Sequence, residues 1–361
     1  MNLLRCDKVD WFAFNFTIAK GRNPILNLRV VLLVGFWILA VGKVLEAATL
    51  STKMVVAYAS ISPRVAPLWA AQELGFFKKN GIEAELIFVR GAPTLVAALT
   101  SGDMDIGYTG GTAVFGASVA GIDLKILAVL TNRVTYDLVA RPGIKSAEEL
   151  RGKRFGVTSI GGTLWMGGIL GLERLGIDAS RDDIRFLVIG DQVLLSQALE
   201  DGRIDATVVD IVFSKRLAEK GFPILAEFHK TNLPITSTSL VARNAYIQKN
   251  PRLVDNFMKA VLEGMAFVLG PGNRAAMLKL LQRRLRVSEK EAEEGLMDIA
   301  IGMDKKPYPS MEGLRNIQRL MKMRNPKLEK AKVEDLVDDQ ILRRLDESGF
   351  IDRLYTSYGV K

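Results

Sequence analysis

Two short glycine-containing turns carry residue types that suit the binding of a small anion. One spans residues 110–112 and the other spans residues 161–163, and both read Gly-Gly-Thr between a strand-like and a helix-like segment. The first N–H groups of a helix have no partner inside the helix, so a helix start offers donors to an anion. Ordinary strand–helix turns have the same composition, which makes one such turn weak evidence. The pair predicts a clamp for one negatively charged group.

Other polar or aromatic residues follow predicted strands and extend this candidate site. Ser62 and Pro63 follow the first strand, Trp69 is placed to close over an apolar tail, and Asn132 and Gln192 lie in later strand-end loops. For Trp69, core packing is the stronger interpretation, because large aromatic side chains mostly pack. The ligand-binding candidates are Ser62, Pro63, Trp69, Gly110, Gly111, Thr112, Asn132, Ser159, Gly161, Gly162, Thr163, Gln192 and Asp210. In the first turn, we expect free N–H groups at Gly111, Thr112 and Ala113.

Two charged residues leave the ligand class open. Asp210 ends the strand-like segment "IDATVVD", and its carboxylate would repel a sulfonate. It either meets an amine of the ligand or forms a hydrogen bond across a hinge. Arg64 offers a charge-assisted bond to a ligand, although an arginine at a rim is more often solvated.

The composition argues against the common forms of catalysis. The chain has one cysteine, Cys6, and one histidine, His229, and the sequence "AEFHKTN" contains no nucleophile elbow. We therefore expect no catalytic residue, no metal and no cofactor. The rival interpretation is an enzyme that uses Asp210 with Asp191, the two carboxylates predicted at the edge of the cleft.

Strand-like and helix-like segments alternate up to about residue 235, which is typical of α/β proteins with a mostly parallel sheet. The frame Ala-Leu-x-x-Gly-x-x-Asp occurs twice, at residues 98–105 and 198–205. The order of elements around it also repeats, which indicates two corresponding α/β lobes. Open α/β sheets bind ligands outside the carboxyl ends of their strands, so a cleft between the lobes is expected. From about residue 250 the apolar spacing becomes helical.

The N-terminus has the features of an export signal. An apolar run from Val30 to Val41 follows a basic segment and precedes small residues, and it is short for a membrane span. Residues 1–47 are predicted to be a signal peptide cleaved after Ala47, or an uncleaved anchor. The net charge of +9 is interleaved with acidic residues, which favours a solvated surface over a nucleic-acid partner.

Several motifs in order resemble a known family. The segments "AQELGFFKKNGIEAEL", "ALTSGDMDIGYTG", "IKSAEELRGKRFGV", "ALEDGRIDATVVD" and "VEDLVDDQILRRL" are similar to periplasmic solute-binding proteins of ABC importers. The subgroup includes binders of aliphatic sulfonates, taurine and nitrate and the THI5-like proteins. The resemblance covers residues 52–345. It implies an α/β fold of the type II periplasmic-binding class, with two lobes, a ligand cleft and a helical C-terminal region.

The resemblance also implies domains and partners. Lobe 1 would comprise residues 52–140 and 236–361, and lobe 2 would comprise residues 141–235. The expected partners are a small-molecule ligand, sulfonate- or carboxylate-like, and an ABC permease in the inner membrane; the receptor would be a periplasmic monomer. One branch of the family handles pyrimidine precursors and carries a cysteine-rich motif, which this sequence lacks beyond Cys6. A pyrimidine-type ligand, an enzyme and a membrane-tethered sensor are the alternatives.

Overall fold

The computed structural model describes residues 51–323 and 325–360. The predicted signal peptide or anchor of residues 1–47, with Cys6, lies outside the described residues. Within the described ranges, no helix combines the length and apolar character needed to span a bilayer.

The described part of the chain forms two five-stranded sheets. Its strands are β1 (Thr52–Tyr58), β2 (Ile82–Phe88), β3 (Ile106–Thr109), β4 (Leu124–Arg133), β5 (Asp137–Ala140), β6 (Arg154–Val157), β7 (Arg185–Val188), β8 (Ala206–Val209), β9 (Ile224–Glu227) and β10 (Pro234–Arg243).

Helices cover both sheets and dominate the C-terminal third. They are α1 (Ala66–Glu73), α2 (Phe76–Lys79), α3 (Ala92–Ser101), α4 (Thr112–Val119), α5 (Thr163–Arg174), α6 (Gln192–Glu200), α7 (Ile211–Glu219), α8 (Asn244–Lys249), α9 (Pro251–Leu269), α10 (Arg274–Leu285), α11 (Glu289–Gly302), α12 (Met311–Lys322), α13 (Gln340–Glu347) and α14 (Phe350–Ser357). The predicted C-terminal helical region is therefore present. Ser310 caps α12 by accepting a hydrogen bond from the N–H of Gly313 at 3.1 Å.

The two sheets have the same topology. Sheet 1 has the order β2-β1-β3-β10-β4 and sheet 2 has the order β7-β6-β8-β5-β9. In each sheet, four strands run in the same direction, and one strand, β10 or β5, runs antiparallel to both its neighbours. Each sheet is therefore mostly parallel, as predicted, and is made mixed by a single strand. The reason is the exchange of strands: β5 and β10 each enter a sheet directly after the chain has crossed from the other one.

The repeated sequence frame has a structural role that is the same in both lobes. Gly102 and Gly202 end their helices in the left-handed conformation, with φ of 91° and 68°. Asp105 then accepts a hydrogen bond from the N–H of Val55 on β1 at 2.9 Å. Asp205 accepts one from the N–H of Arg154 on β6, also at 2.9 Å. Asp105 thereby holds β1, and Asp205 holds β6, against the strand that follows the frame.

The chain crosses between the sheets twice. The first crossing joins β4 to β5, and the second joins β9 to β10. Sheet 2 occupies residues 137–227, so β5 lies four residues upstream of the predicted lobe boundary at residue 141. We call residues 137–227 lobe 2 and the remaining described residues lobe 1.

Candidate functional site

A cavity lies between the two lobes, where the carboxyl ends of the parallel strands of both sheets meet. Its empty volume is about 720 Å³, part of it open to solvent. The lining residues follow β1, β2, β3, β6 and β7 or belong to β10 and the first crossing segment. They are Ala59, Ser60, Ser62, Arg64, Val65, Arg90, Gly91, Ala92, Tyr108, Thr109, Gly110, Tyr136, Thr158, Ser159, Gly162, Thr163, Leu164, Asp191, Gln192, Ser237 and Thr238.

The structure brings the two Gly-Gly-Thr turns face to face across this cavity. A Cβ atom added to Gly110 would lie 1.9 Å from Thr163 Oγ1, so the backbone of the first turn touches the side chain of the second. The two lobes can approach this closely only because residue 110 has no side chain. A ligand site shared by the two turns stays a prediction.

The first turn offers fewer free donors than expected. The N–H of Gly111 donates to the carbonyl oxygen of Thr236 at 3.0 Å, and the N–H of Ala113 donates to that of Gly110 at 3.1 Å. Thr112 is buried and its hydroxyl has no hydrogen-bond partner, but it does not line the cavity. The expectation of three free N–H groups is therefore wrong for Gly111 and Ala113, because the turn is tied to β10 and to itself.

The floor of the cavity is a hydrogen-bond network centred on Asp210. This carboxylate is fully buried at the start of α7. Its Oδ2 atom accepts from Ser62 Oγ at 2.5 Å and from Gln192 Nε2 at 2.6 Å, and its Oδ1 atom accepts from Arg64 Nη2. Ser62 and Arg64 belong to lobe 1, whereas Asp210 and Gln192 belong to lobe 2. Two roles were open for Asp210, a contact with an amine of the ligand and a hydrogen bond across the hinge. In the structure, Asp210 forms hydrogen bonds from one lobe to the other.

Arg64 lies in this floor and not at a solvated rim. Its side chain is 5% exposed, and its guanidinium carbon lies 4.7 Å from the centre of the Tyr136 ring. It also bonds a second carboxylate, Asp298 on α11, at 3.3 Å. Burial by itself lowers the pKa of Arg64, but the charges of Asp210 and Asp298 raise it further than burial lowers it. The arginine is therefore a permanent buried cation shared by two aspartates.

The remaining candidates divide into those that line the cavity and those that do not. Ser62, Gly110, Ser159, Gly162, Thr163 and Gln192 line it. Pro63, Trp69, Gly111, Thr112, Asn132, Gly161 and Asp210 do not. Asp210 nevertheless bonds three lining residues directly, Ser62, Arg64 and Gln192.

Trp69 and Asn132 have structural surroundings. Trp69 is 1% exposed in the core of lobe 1, with its ring centre 6.3 Å from that of Tyr58. Asn132 donates from Nδ2 to Asp304 Oδ2 at 3.0 Å and accepts from the N–H of Ser310 at 2.9 Å. It fixes the segment after α11 to β4, because its amide satisfies backbone and carboxylate groups there.

The cleft also contains polar residues that sequence reasoning missed. Tyr108 donates its hydroxyl to the carbonyl oxygen of Arg64 at 2.6 Å, and the Tyr136 hydroxyl lies 3.1 Å from Ser237 Oγ. Asp298 was missed altogether. Its only sequence signal is a single acidic residue on an otherwise apolar stretch, "LMDIAIG".

The histidine is not arranged for nucleophilic catalysis. Asp137 lies in the middle of the group: Ser214 Oγ donates to its Oδ2 at 2.5 Å, and His229 Nδ1 lies 2.7 Å from its Oδ1. Activation of a serine requires the histidine between serine and aspartate. Asp191 caps α6 by accepting from the N–H of Leu194 at 3.1 Å. Among residues 51–323 and 325–360, no three His, Cys, Asp or Glu side chains are grouped to hold a metal ion.

Comparison with known proteins identifies relatives of this chain. The family model described as "NMT1/THI5 like" matches residues 62–274, more than half of the chain. YtlA, a candidate binding protein of Bacillus subtilis (strain 168), is 27% identical over 222 residues, which are 60% of this chain and 66% of YtlA. The match thus spans just under two thirds of the length of that relative.

Two solved structures share the architecture. The periplasmic aliphatic sulphonate binding protein SsuA from Escherichia coli has a TM-score of 0.63 at 17% identity, covering 79% of this chain and 92% of SsuA. The periplasmic nitrate-binding protein NrtA from Synechocystis PCC 6803 has a TM-score of 0.67 at 14% identity, covering 82% of this chain and 89% of NrtA. At these identities the likeness shows a common fold. The predicted two-lobed periplasmic-binding fold is confirmed.

Proposed function

The chain belongs to the NMT1/THI5-like family, and from that membership we propose that it is the solute-binding receptor of an ABC importer. It closes its two lobes on a small organic ligand. The observation that carries this proposal is the cavity between the lobes, lined by hydroxyl groups and helix starts from both of them. A site assembled from two lobes is complete only when they are closed, so a ligand that contacts both favours the closed form.

The contacts between the lobes support such a hinged receptor. The carboxylate of Asp210 joins lobe 2 to Ser62 and Arg64 of lobe 1 at the floor of the cleft. At the mouth, Arg90 Nη2 lies 3.5 Å from Asp191 Oδ2, and Arg90 is largely exposed. The buried interactions at the floor pull the lobes together. The exposed ion pair at the mouth contributes little to the stability of the closed form, so it opens easily.

The ligand class is proposed from the helix starts and from the relatives. The starts of α3 and α5 border the cavity through Gly91, Ala92, Gly162 and Thr163. Their N–H groups favour an anion. The names of SsuA and NrtA, which specify a sulphonate and nitrate, support a sulfonate- or carboxylate-like ligand.

The remaining parts of the proposal concern catalysis, partners and location. Since Asp210 accepts three hydrogen bonds and Asp191 caps a helix, neither carboxylate is free to act as a base, which favours binding without chemistry. The periplasmic names of the neighbours support a periplasmic location. We propose in addition that the receptor is a monomer and delivers its ligand to a membrane permease.

A ligand screen tests the function. The panel contains alkanesulfonates, taurine, nitrate, dicarboxylates, amino acids and pyrimidines, and the readout is the melting temperature. A ligand at about one hundred times its Kd stabilises the protein by about 2.7 kcal/mol, a shift of a few degrees. Thr163→Ala should weaken the response, since Thr163 lines the cavity, and Thr112→Ala should not. Thr100→Ala, on the exposed face of α3, is the control. A chain that no panel member stabilises would contradict the proposal.

A further inference from the structure

The floor of the cleft contains an unequal set of buried charges. Among the residues that the structure describes, Arg64 is the one cation in this floor, and Asp210 and Asp298 are both fully buried carboxylates bonded to its Nη2 atom. Two negative charges therefore share one positive charge out of contact with water. Such an excess is unfavourable in a region of low dielectric constant, because water cannot compensate it.

The two carboxylates differ in how well they are satisfied. Asp210 accepts from Ser62, Arg64 and Gln192, so both its oxygens have partners. Asp298 accepts a single bond from Arg64 at 3.3 Å, and its Oδ2 atom is buried with no hydrogen-bond partner. Burial raises the pKa of Asp298 to about 7, with the negative charge of Asp210 adding to the rise and Arg64 opposing it. Asp298 is therefore the carboxylate that takes a proton at little cost.

Arg64 lines the cavity, and its guanidinium is not fully used by the two aspartates. Its Nε atom is buried and has no hydrogen-bond partner. An anion bonded to Arg64 from the cavity would be the third negative group around one guanidinium. Protonation of Asp298 removes one of the three charges and leaves the bonds to Asp210 intact.

We propose that Asp298 is a specificity-determining residue, which sets the charge that the cleft accepts: an anionic ligand binds at Arg64 together with one proton on Asp298. This inference rests on the proposed function, because it concerns the ligand of the same cleft. It makes the affinity for anions rise as the pH falls, and it leaves the affinity for uncharged ligands nearly independent of pH.

The other groups around Asp298 do not supply the missing positive charge. Tyr136 faces it from the first crossing segment, and Asp137 on β5 adds a further negative charge. Asp137 is itself held by His229 at 2.7 Å.

Among the described residues, no cation on the remaining elements packed on α11 forms an ion pair with Asp298. The nearest groups on α7 are in ion pairs with α11, Lys290 with Glu219 and Arg216 with Glu291. Arg274 on α10 bonds Glu293 on the exposed side. Gly302, at the end of α11, packs against the uncharged Thr131 on β4 and Thr135 beside it.

Calorimetric titration of the full chain with ethanesulfonate and with nitrate tests this inference. If only the form with protonated Asp298 binds, a pKa near 7 predicts an affinity about tenfold higher at pH 6 than at pH 8. Titrations at pH 7.5 in phosphate and in Tris, whose ionisation enthalpies differ, should show net uptake of protons on binding. Proton uptake is measured on the wild-type chain, so it does not depend on the folding of a variant.

Asp298→Asn should bind these anions with nearly the same affinity at pH 6 and pH 8, and about tenfold more tightly than wild type at pH 8. Glu293→Gln, on the exposed face of the same helix, is the matched control and should keep the wild-type pH dependence. Anion binding without pH dependence and without proton uptake would overturn the inference and leave the receptor function standing. The inference would also be overturned if neither anion bound to wild type at pH 6 or to Asp298→Asn at pH 8. In that case, stabilisation of the chain by an uncharged member of the ligand panel would still support a solute receptor.

Discussion

The contact between Gly110 of lobe 1 and Thr163 of lobe 2 offers a direct test of lobe closure. In Gly110→Ala, the new Cβ atom would lie 1.9 Å from Thr163 Oγ1 and 3.3 Å from the carbonyl oxygen of Ser237. Since non-bonded atoms pack at about 3.5 Å, the lobes must separate by roughly 1.5 Å here or Thr163 must leave its position. Overpacking of this kind costs about 1–3 kcal/mol, which corresponds to a loss of affinity of about 5- to 150-fold. Only the closed form carries this cost.

Ligand affinity and the distance between spin labels on the two lobes measure the effect. The chain has one cysteine, so a Cys6→Ser background allows label sites at two exposed positions, Lys78→Cys in lobe 1 and Arg181→Cys in lobe 2. Gly110→Ala should shift the distance distribution toward longer values. Gly116→Ala, whose Cβ meets no atom within 4 Å, should not. A return of the wild-type distance distribution in Gly110→Ala/Thr163→Gly would identify the contact. Unchanged distances and affinity in Gly110→Ala would refute the reasoning.

Three further predictions test interactions within and between the lobes. Arg64→Met leaves two buried carboxylates without their cation and should lower the free energy of unfolding at pH 7 by about 3–5 kcal/mol in urea titrations. The loss should be smaller at pH 5, where Asp298 is protonated. Arg319→Met, which removes an exposed ion pair, should cost less than about 1 kcal/mol, and an equally small loss in Arg64→Met would contradict the prediction. Arg154, by its side-chain hydrogen bond, lowers the pKa of Asp205 to about 2. The pair therefore stabilises the fold above the ordinary carboxyl pKa near 4 and loses this effect as the pH falls from 4 to 2. The melting temperature of Asp205→Asn should approach that of wild type over this interval, and a constant difference would count against the pair. Gly171→Ala places a Cβ 2.1 Å from the ring of Phe228 and should cost about 1–3 kcal/mol by overpacking. Gly116→Ala, also in a helix but with no atom within 4 Å of the new Cβ, is the control, and a loss in Gly171→Ala no larger than in this control would mean that the ring contact is unimportant.

The repeated frame shows how far local sequence patterns reach. Its glycines end helices and its aspartates follow a tight turn, both of which depend on residues adjacent in the chain. The existence of two corresponding lobes could therefore be inferred from residues 98–105 and 198–205. That Asp105 and Asp205 hold the strands β1 and β6 required the sheet order, since each bond joins residues about fifty positions apart.

The residues predicted for the candidate site also divide into those that local sequence placed correctly at the cavity and those that it did not. Six of the thirteen predicted residues line the cavity, and all six follow strands, where the topology of α/β sheets brings loops together. Trp69 lies within α1 and Asn132 lies near the end of β4, and their side chains turn into the core and toward the segment after α11.

By itself, the sequence determined the alternation of strands and helices, the two-lobed α/β fold, the helical C-terminal region and the glycine turns of the cleft. These follow from patterns within about ten residues, such as apolar periodicity and the backbone freedom of glycine. Only the tertiary structure decided that Arg64 is a buried cation and that Asp210 and Asp298 share it. Asp298 lies 234 residues from Arg64 along the chain, and no local pattern encodes which charges meet when the lobes close.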